Sequence, residues 1–455
     1  MNRNSNPLLV ALLTVFVSLP ASAEVSAEEA ERLAADLTPI GGERAGNAEG
    51  SIPEWTGGIT TVPPDYSPGA SHPDPFAQDP VLFAIDASNW EQHASHLTEG
   101  QKALLLAHPE TWRMPVYRTR RSASYPSWVY DAIANNATRA QVIVEGKGGV
   151  ENAAVSSPFP IPKSGVEVIW NHNLRWRGVY VRRANGLAAV TRRGKYQVVL
   201  SAQEIGFPYG SQHDTPFKRK YPNIMFAVKS KIVEPALLAG NGSLAIETLN
   251  QTHDPRKVWS YSQSLRRVVR NPFVAYDFPA ANSDNLRTVD DVQLFIGPPD
   301  RFEWKLLGKR EIYIPYNAYR MNSNAVASKD VLLTHHINPD LSRYELHRVW
   351  VVEGLLKSGE KHVYSRRVFY VDEDSWQIAV ADLYDRDGKL WRVSEAHAIN
   401  FYQVPVLWST LEVFNDLKAR RYLVSGLDNE RTPPIFGETT DPRGFSPNAL
   451  SYYIR

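Results

Sequence analysis

The side chains best suited to proton chemistry stand two apart in the run "LWRVSEAHAINFY". If this run is a strand, Trp391, Val393, Glu395, His397, Ile399 and Phe401 share one face. Glu395 and His397 then interrupt an otherwise apolar row. A buried carboxylate beside an imidazole can move a proton or orient the polar head of a ligand. The same pair can also be a structural polar contact, or face solvent near the strand end. Other candidate sets are incomplete. "THHINPD" offers His335, His336 and Asp340, but adjacent histidines on an extended segment point to opposite faces. "DRDG" (Asp385 to Gly388) opens like a calcium loop and lacks the later ligands and closing Glu. "GGERAG" lacks the Lys-Ser/Thr ending and the preceding strand of a phosphate loop. There is no H-E-x-x-H, no G-x-S-x-G elbow and no dinucleotide fingerprint. With no cysteine, thiolate nucleophiles, disulfides and cysteine-held metals are excluded. The expectation is therefore no catalytic set, no metal and no cofactor. A hydrolase built around Glu395 and His397 is the enzymatic alternative.

Aromatic residues form a second set. Trp176 with Tyr180, Trp259 with Tyr261, Phe302 with Trp304, and Leu346 with Trp350 fall on single faces of strand-like runs. Such stripes line apolar ligand pockets, and they also build ordinary cores. These eight, with Glu395 and His397, are the expected ligand-binding residues.

Several segments are needed to hold these residues in place. "PLLVALLTVFVSLP" and the "ASA" after it have the form of an export signal over residues 1–23, too short to span a membrane comfortably. Without a cysteine the chain cannot carry a bacterial lipoprotein anchor, so a periplasmic location is expected. Residues 24–150 read as an irregular and helical segment that packs on a sheet built by the later residues. Glu24 to Leu37 could form a short helix, and a capping box at Thr98 and Gln101 opens a second. A third runs from about Pro126, with Val129, Ile133 and Ala137 on one face. From about Ile161 to Tyr402 strands and turns are expected throughout, within a domain spanning 151–425. Ala184-Asn185-Gly186 and Gly194 read as hairpin turns. "KSGE", "DEDS" and "DRDG" should join four strands of an antiparallel meander. Residues 426–455 are left as a C-terminal tail.

The stretch "KVWSYSQSLRRVVRNP" is basic and aromatic, but the chain as a whole is balanced, with 50 Lys+Arg against 49 Asp+Glu. A nucleic-acid binder would show a strong basic excess on one domain. The stretch reads instead as a hairpin whose arginine stems cover apolar surface.

Several runs carry a resemblance. "PFPIPKSGVEVIWNHNLRWRG", "VWSYSQSLRRVVRNP", "SDNLRTVDDVQLF", "DRFEWKLLGKREIYIPY", "YELHRVWVVEG", "RVFYVDEDSW" and "LYDRDGKLWR" succeed one another in order. They resemble the domain-of-unknown-function 1329 family of exported Gram-negative proteins, which is associated with outer-membrane lipoprotein sorting. More distantly the pattern is similar to the LolA/LolB-like lipoprotein carriers. The chain departs from these carriers in being about twice as long. The resemblance implies a mainly β, α+β fold: a large curved antiparallel sheet or half-barrel, with helices plugging its concave face. It implies binding and transfer of a hydrophobic or lipid-like molecule, with an RND-type transporter or an outer-membrane protein as partner. A docking protein without cargo is the alternative. Transient contact with a membrane surface is compatible with both, and nucleic acid is not expected.

Overall fold

The computed structural model describes residues 25–143, 148–251, 253–437 and 441–454. The export-signal reading lies outside them. Among the described residues, no helix is long and apolar enough to cross a membrane.

The chain is an α+β protein dominated by one large, almost wholly antiparallel sheet. Short strands β1 (Phe83–Ile85) and β2 (Met114–Val116) precede a separate hairpin, β3 (Gln141–Ile143) and β4 (Gly149–Glu151). A first meander comes next: β5 (Tyr180–Val190), β6 (Val198–Gly206), β7 (Ile224–Glu234), β8 (Gly242–Thr248), β9 (Lys257–Ser262) and β10 (Arg267–Arg270). After β11 (Phe302–Pro315) comes a second: β12 (Tyr344–Leu356), β13 (Arg366–Asp372), β14 (Ile378–Tyr384), β15 (Leu390–Asn400), β16 (Leu407–Asp416) and β17 (Arg421–Leu427). The last strand of the second meander pairs with the first strand of the first, Leu423 opposite Ala189, which joins the two into one sheet. A final short strand, β18 (Ile435–Gly437), continues the β17 position along β5. Among the described residues, the one parallel contact is Tyr344 on β12 with Val116 on β2.

Seven α-helices among the described residues accompany this sheet: α1 (Ala27–Glu31), α2 (Glu99–Ala107), α3 (Ser127–Ala137), α4 (Gly165–Leu174), α5 (Pro216–Lys220), α6 (Ser328–Val331) and α7 (Pro447–Ile454). α2 carries the expected capping box: Gln101 N–H donates to Thr98 Oγ1, and Thr98 N–H donates to Gln101 Oε1. Val129, Ile133 and Ala137 form the buried stripe of α3. The hairpin β9–β10 forms, and β12–β15 make an antiparallel meander, both as expected.

Two expectations are corrected. "GVEVIWNHNL" forms α4 and not a strand. Its residues are buried almost all round, so it lacks the one-sided stripe that betrays a surface helix. Two of its polar side chains are held by backbone: Asn171 bonds Phe159 through both N–H and C=O, and His172 contacts the carbonyls of Trp376 and Gln293. The second correction concerns Ala184-Asn185-Gly186, which runs straight through the middle of β5. Gly186 is needed there for close approach: a Cβ would stand 2.5 Å from the carbonyl oxygen of Leu427. The real turn lies at Thr191–Lys195, where Gly194 takes φ +73°.

Candidate functional site

A pocket of about 590 Å³ opens beside the seam where β17 and β18 meet β5. Its walls come from segments far apart in sequence. Trp128 stands in the first turn of α3, held by Pro126 at the N-cap position. Trp176 comes just after α4 and is pinned by its indole N–H, which donates to Gly210 O at 3.0 Å. The two indoles meet edge to face, with centroids 5.4 Å apart. Tyr66, from the N-terminal segment, packs on His72 and Tyr402. Phe436 on β18 contacts Phe401 and Trp408 and sits over Gly178. Gly178 has φ +88°, and an added Cβ would lie 3.1 Å from the Phe436 ring, so both backbone and space call for glycine. Ser211, Gln212, His213 and Gln403 bring polar side chains to the wall, and Gln403 shares a 2.8 Å hydrogen bond with His72. A concave wall that sets aromatic rings and prolines beside a group of polar side chains suits an apolar ligand with a polar handle.

Of the ten expected ligand residues, Trp176 lines this pocket. Tyr180 begins β5 next to it, its ring against Gly437. Burial and neighbouring Glu204 push its phenol up. Trp259 and Tyr261 pack with Leu450 and Ile454 of α7 in a separate cluster. Phe302 and Trp304 pack around Phe295 and Phe369, and the Trp304 N–H donates to Pro299 O at 2.8 Å. Leu346 packs with α2 residues Leu104 and Leu105. Trp350 lies parallel to Trp376 at 6.1 Å, with the Lys309 ammonium over it.

Glu395 and His397 are fully buried under α2, among residues the pocket does not share. The six-residue row expected on their face is broken at both ends. Register shifts near Trp391 and between His397 and Ala398 turn Trp391 and Ile399 toward the main core, while Val393 packs on the α2 side. Tyr344 donates its hydroxyl to Glu395 Oε2 at 3.1 Å, and Glu395 Oε1 has no protein partner. Burial pushes this carboxyl up to about 7, and the Tyr344 hydroxyl opposes the shift. Burial likewise pushes His397, whose ring nitrogens both lack partners, down to about 3. Asp382, which accepts from Thr98 Oγ1 at 3.2 Å, is pushed up to about 7 by the same cause.

A third set carried no warning in the sequence. "DEDS" is the turn between β13 and β14, yet Asp372, Glu373 and Asp374 are buried. His347, Asp372 and Asp374 bring potential metal-ligand atoms within 4.8 Å of one another. Asp374 is already committed: Arg121 donates to both its oxygens, at 2.8 and 2.7 Å. His347 Nε2 lies 3.2 Å from Glu345, and Nδ1 lies 3.8 Å from Asp372 Oδ1. Burial and the charge of Asp374 hold the Asp372 carboxyl up. Tyr316 stacks on His347 at 4.0 Å. Of this set, His347 and Asp372 remain to receive a cation, which is a sparse donor set.

Residues 84–451 match the family described as "Protein of unknown function (DUF1329)". An uncharacterized protein of Pseudomonas aeruginosa is 44% identical over 429 residues, 94% of each chain. The chain belongs to this family. Among solved structures, a family member from Desulfovibrio piger is similar at 14% identity, covering 60% of this chain and 92% of that one, with TM-score 0.41. A LolA superfamily protein from Nitrosomonas europaea is similar at 11% identity, covering 63% and 98%, with TM-score 0.35.

Proposed function

We propose that this protein is a periplasmic binding protein that shelters a hydrophobic, lipid-like molecule in the pocket between Tyr66, Trp128, Trp176 and Phe436. The observation that carries the reading is the pocket itself, about 590 Å³ with aromatic and proline walls. Each acyl methylene exposed to water costs about 0.8 kcal/mol, so a lipid crossing an aqueous compartment needs such a shelter. In this reading the sheet acts as a half-barrel whose concave side is closed by α3 and α4. The other expected ligand residues would act by supporting that wall. Delivery to an RND-type transporter or an outer-membrane protein is the hand-over step suggested by the family resemblance.

Native mass spectrometry of protein purified from periplasm without detergent, with subsequent lipid extraction, tests this. A stoichiometric apolar ligand, lost in Trp128→Glu with the fold intact, is the expected result. A clean apo mass with no uptake of offered fatty acids or phospholipids would overturn it.

A second reading, docking without cargo, is favoured by a different observation. On and next to β10, Leu265, Val269 and Phe273 are exposed in the same stretch as Arg267 and Arg270. An open edge strand with apolar and basic side chains is a surface on which an envelope protein could add a strand or seat a loop. Photo-crosslinking from position 269 in cells tests it: one discrete protein adduct is expected, and its absence overturns the docking reading.

A further inference from the structure

A second cavity, of about 400 Å³, opens where the sheet is incomplete. β17 pairs with β5 as far as Gly186, and β18 takes up the same side of β5 again at Arg182. Arg183, Ala184 and Asn185, between them, have a strand partner on the β6 side alone. Arg182, Arg183, Glu204 and Arg431 are the charged residues lining this gap. Glu204 is paired with Lys229 at 2.9 Å, and Arg431 holds Glu234 at 2.8 Å. Arg182 is exposed and Arg183 half-buried, and neither makes an ion pair among the described residues. Arg183 Nε donates to Gln203 Oε1 at 3.0 Å, and its guanidinium lies 5.1 Å from the centre of the Trp408 ring. Its two terminal nitrogens make no hydrogen bond among the described residues. The gap is thus lined by two cations without counter-charge, one of them fixed in place by its stacking and its Nε–H bond.

The gap adjoins the aromatic pocket: Pro433 and Ile435 line both cavities. Arg183 also backs that pocket ring by ring, since Trp408 meets Phe436 of the pocket wall with centroids 6.3 Å apart. Arg175 and Arg177 flank the pocket residue Trp176 in sequence, and both are buried. Their side chains bond neutral acceptors: Arg175 donates to Gln377 Oε1 at 2.7 Å, Arg177 to Asn173 O at 2.9 Å, and both reach Gln293 Oε1. Neither forms an ion pair among the described residues. Burial holds the Arg183 guanidinium below its ordinary range, with Glu412 and Asp428 opposing the shift. Three guanidiniums around the pocket therefore lack a close carboxylate, in surroundings that screen charge weakly. An alkylamine would be repelled here, and an uncharged amphiphile would leave the charge uncompensated. A carboxylate or phosphate would accept charge-assisted hydrogen bonds from the free end of Arg183. We infer that the gap lined by Arg182 and Arg183 receives an anionic head group, so that the molecule sheltered in the aromatic pocket is an acidic amphiphile, an alkyl carboxylate or alkyl phosphate. This inference rests on the lipid-binding reading and names the class of lipid.

Titration calorimetry on the delipidated full mature protein tests the assignment. The probes are dodecanoate, dodecyl phosphate, dodecanol and dodecylamine, each below its micelle concentration, with acetate and inorganic phosphate as heads without chains. At least one of the two acids should bind at least tenfold more tightly than dodecanol, and dodecylamine more weakly than dodecanol. Acetate and inorganic phosphate should give no saturable heat at millimolar concentration. Arg183→Gln should cut the preference for acid over alcohol to less than about threefold. Arg182→Gln, at an exposed position, should fold whatever happens to Arg183→Gln, and it should reduce the same preference by at least half. Dodecanol bound as tightly as both acids would overturn the head-group assignment and leave the lipid reading standing. Binding of none of the alkyl probes would overturn both. Inorganic phosphate bound as tightly as dodecyl phosphate would mark a site for a free anion and overturn the assignment. A preference for dodecylamine, or an acid preference unchanged in both variants, would overturn it as well.

Discussion

The two meanders share one sheet but differ in what covers them. In the second, every residue of β14 and β16 is buried. Asp382 and Val393 meet α2, while Leu383 and Ala396 belong to the main core on the other face. In the first, cover runs out along the sheet: β7 passes from buried to exposed along its length, and β10 exposes three of its four residues. The charges track the cover. The buried meander pairs much of its charge internally, as in Arg121 with Asp374 or Arg367 with Asp290 and His362, while Glu395 Oε1 and both His397 ring nitrogens on β15 have no protein partner. On β10, Arg267 and Arg270 make no ion pair among the described residues. The acidic neighbours in sequence pair elsewhere, Asp254 with Lys257 and Asp277 with Arg301. On a strand covered on both faces, a buried polar group depends on protein partners because water does not reach it, and one left without a partner is forced toward its neutral form, as at Glu395 and His397. A strand open to solvent is free of that demand, and its surface is left for other molecules.

The contrast between covered and open strands is most exposed to attack at Arg121. Arg121→Ala strips Asp374 and Glu373 of a buried partner and should cost about 3–5 kcal/mol, read by urea denaturation. Next is Glu395→Gln. The Glu395 carboxyl sits at about 7 when folded, against an ordinary 4.5, so the folded state binds the extra proton. Stability should fall as pH rises from 4.5 through 7, and the loss stays complete above that. The shift corresponds to roughly 3 kcal/mol. The variant should therefore have a flatter dependence of melting temperature on pH between about 5 and 8, with its largest gain at the alkaline end. A slope equal to wild type would show that Glu395 is ionised throughout.

Hydrogen exchange separates the two meanders strand by strand. Amides of β9 and β10 should exchange through local opening well before those of β13 to β15, whose protection should approach that of global unfolding. Equal protection would mean that cover does not govern stability here. The smallest effect is expected at Val269→Asp: at an exposed β10 position it should change stability by less than about 0.5 kcal/mol, while weakening any partner that docks on that edge.

Much of the second meander was legible. "KSGE", "DEDS" and "DRDG" marked their turns, and Thr98 with Gln101 marked the start of α2. The site was less so. Trp176, singled out by its aromatic type, lines the pocket, although it sits after a helix and not on a strand. Tyr66, Trp128 and Phe436 were missed because they become neighbours only when β18 pairs with β5 and the N-terminal segment crosses to meet them. Gly186 misled because a glycine required for close packing looks the same as one required for a turn.

Alternation, turn residues and capping boxes act within a few positions, so most strands from β5 to β15, most of their hairpins and two of the helices were already written into local stretches of chain. So was the chemistry that is unavailable, since a chain without cysteine can hold no thiolate. It took the folded molecule to bring β17 back to β5, to split the Glu395 face with bulges, and to carry the "DEDS" carboxylates inside. Each of these depends on which distant segment arrives to exclude water, and burial by a distant segment is a property no local pattern encodes.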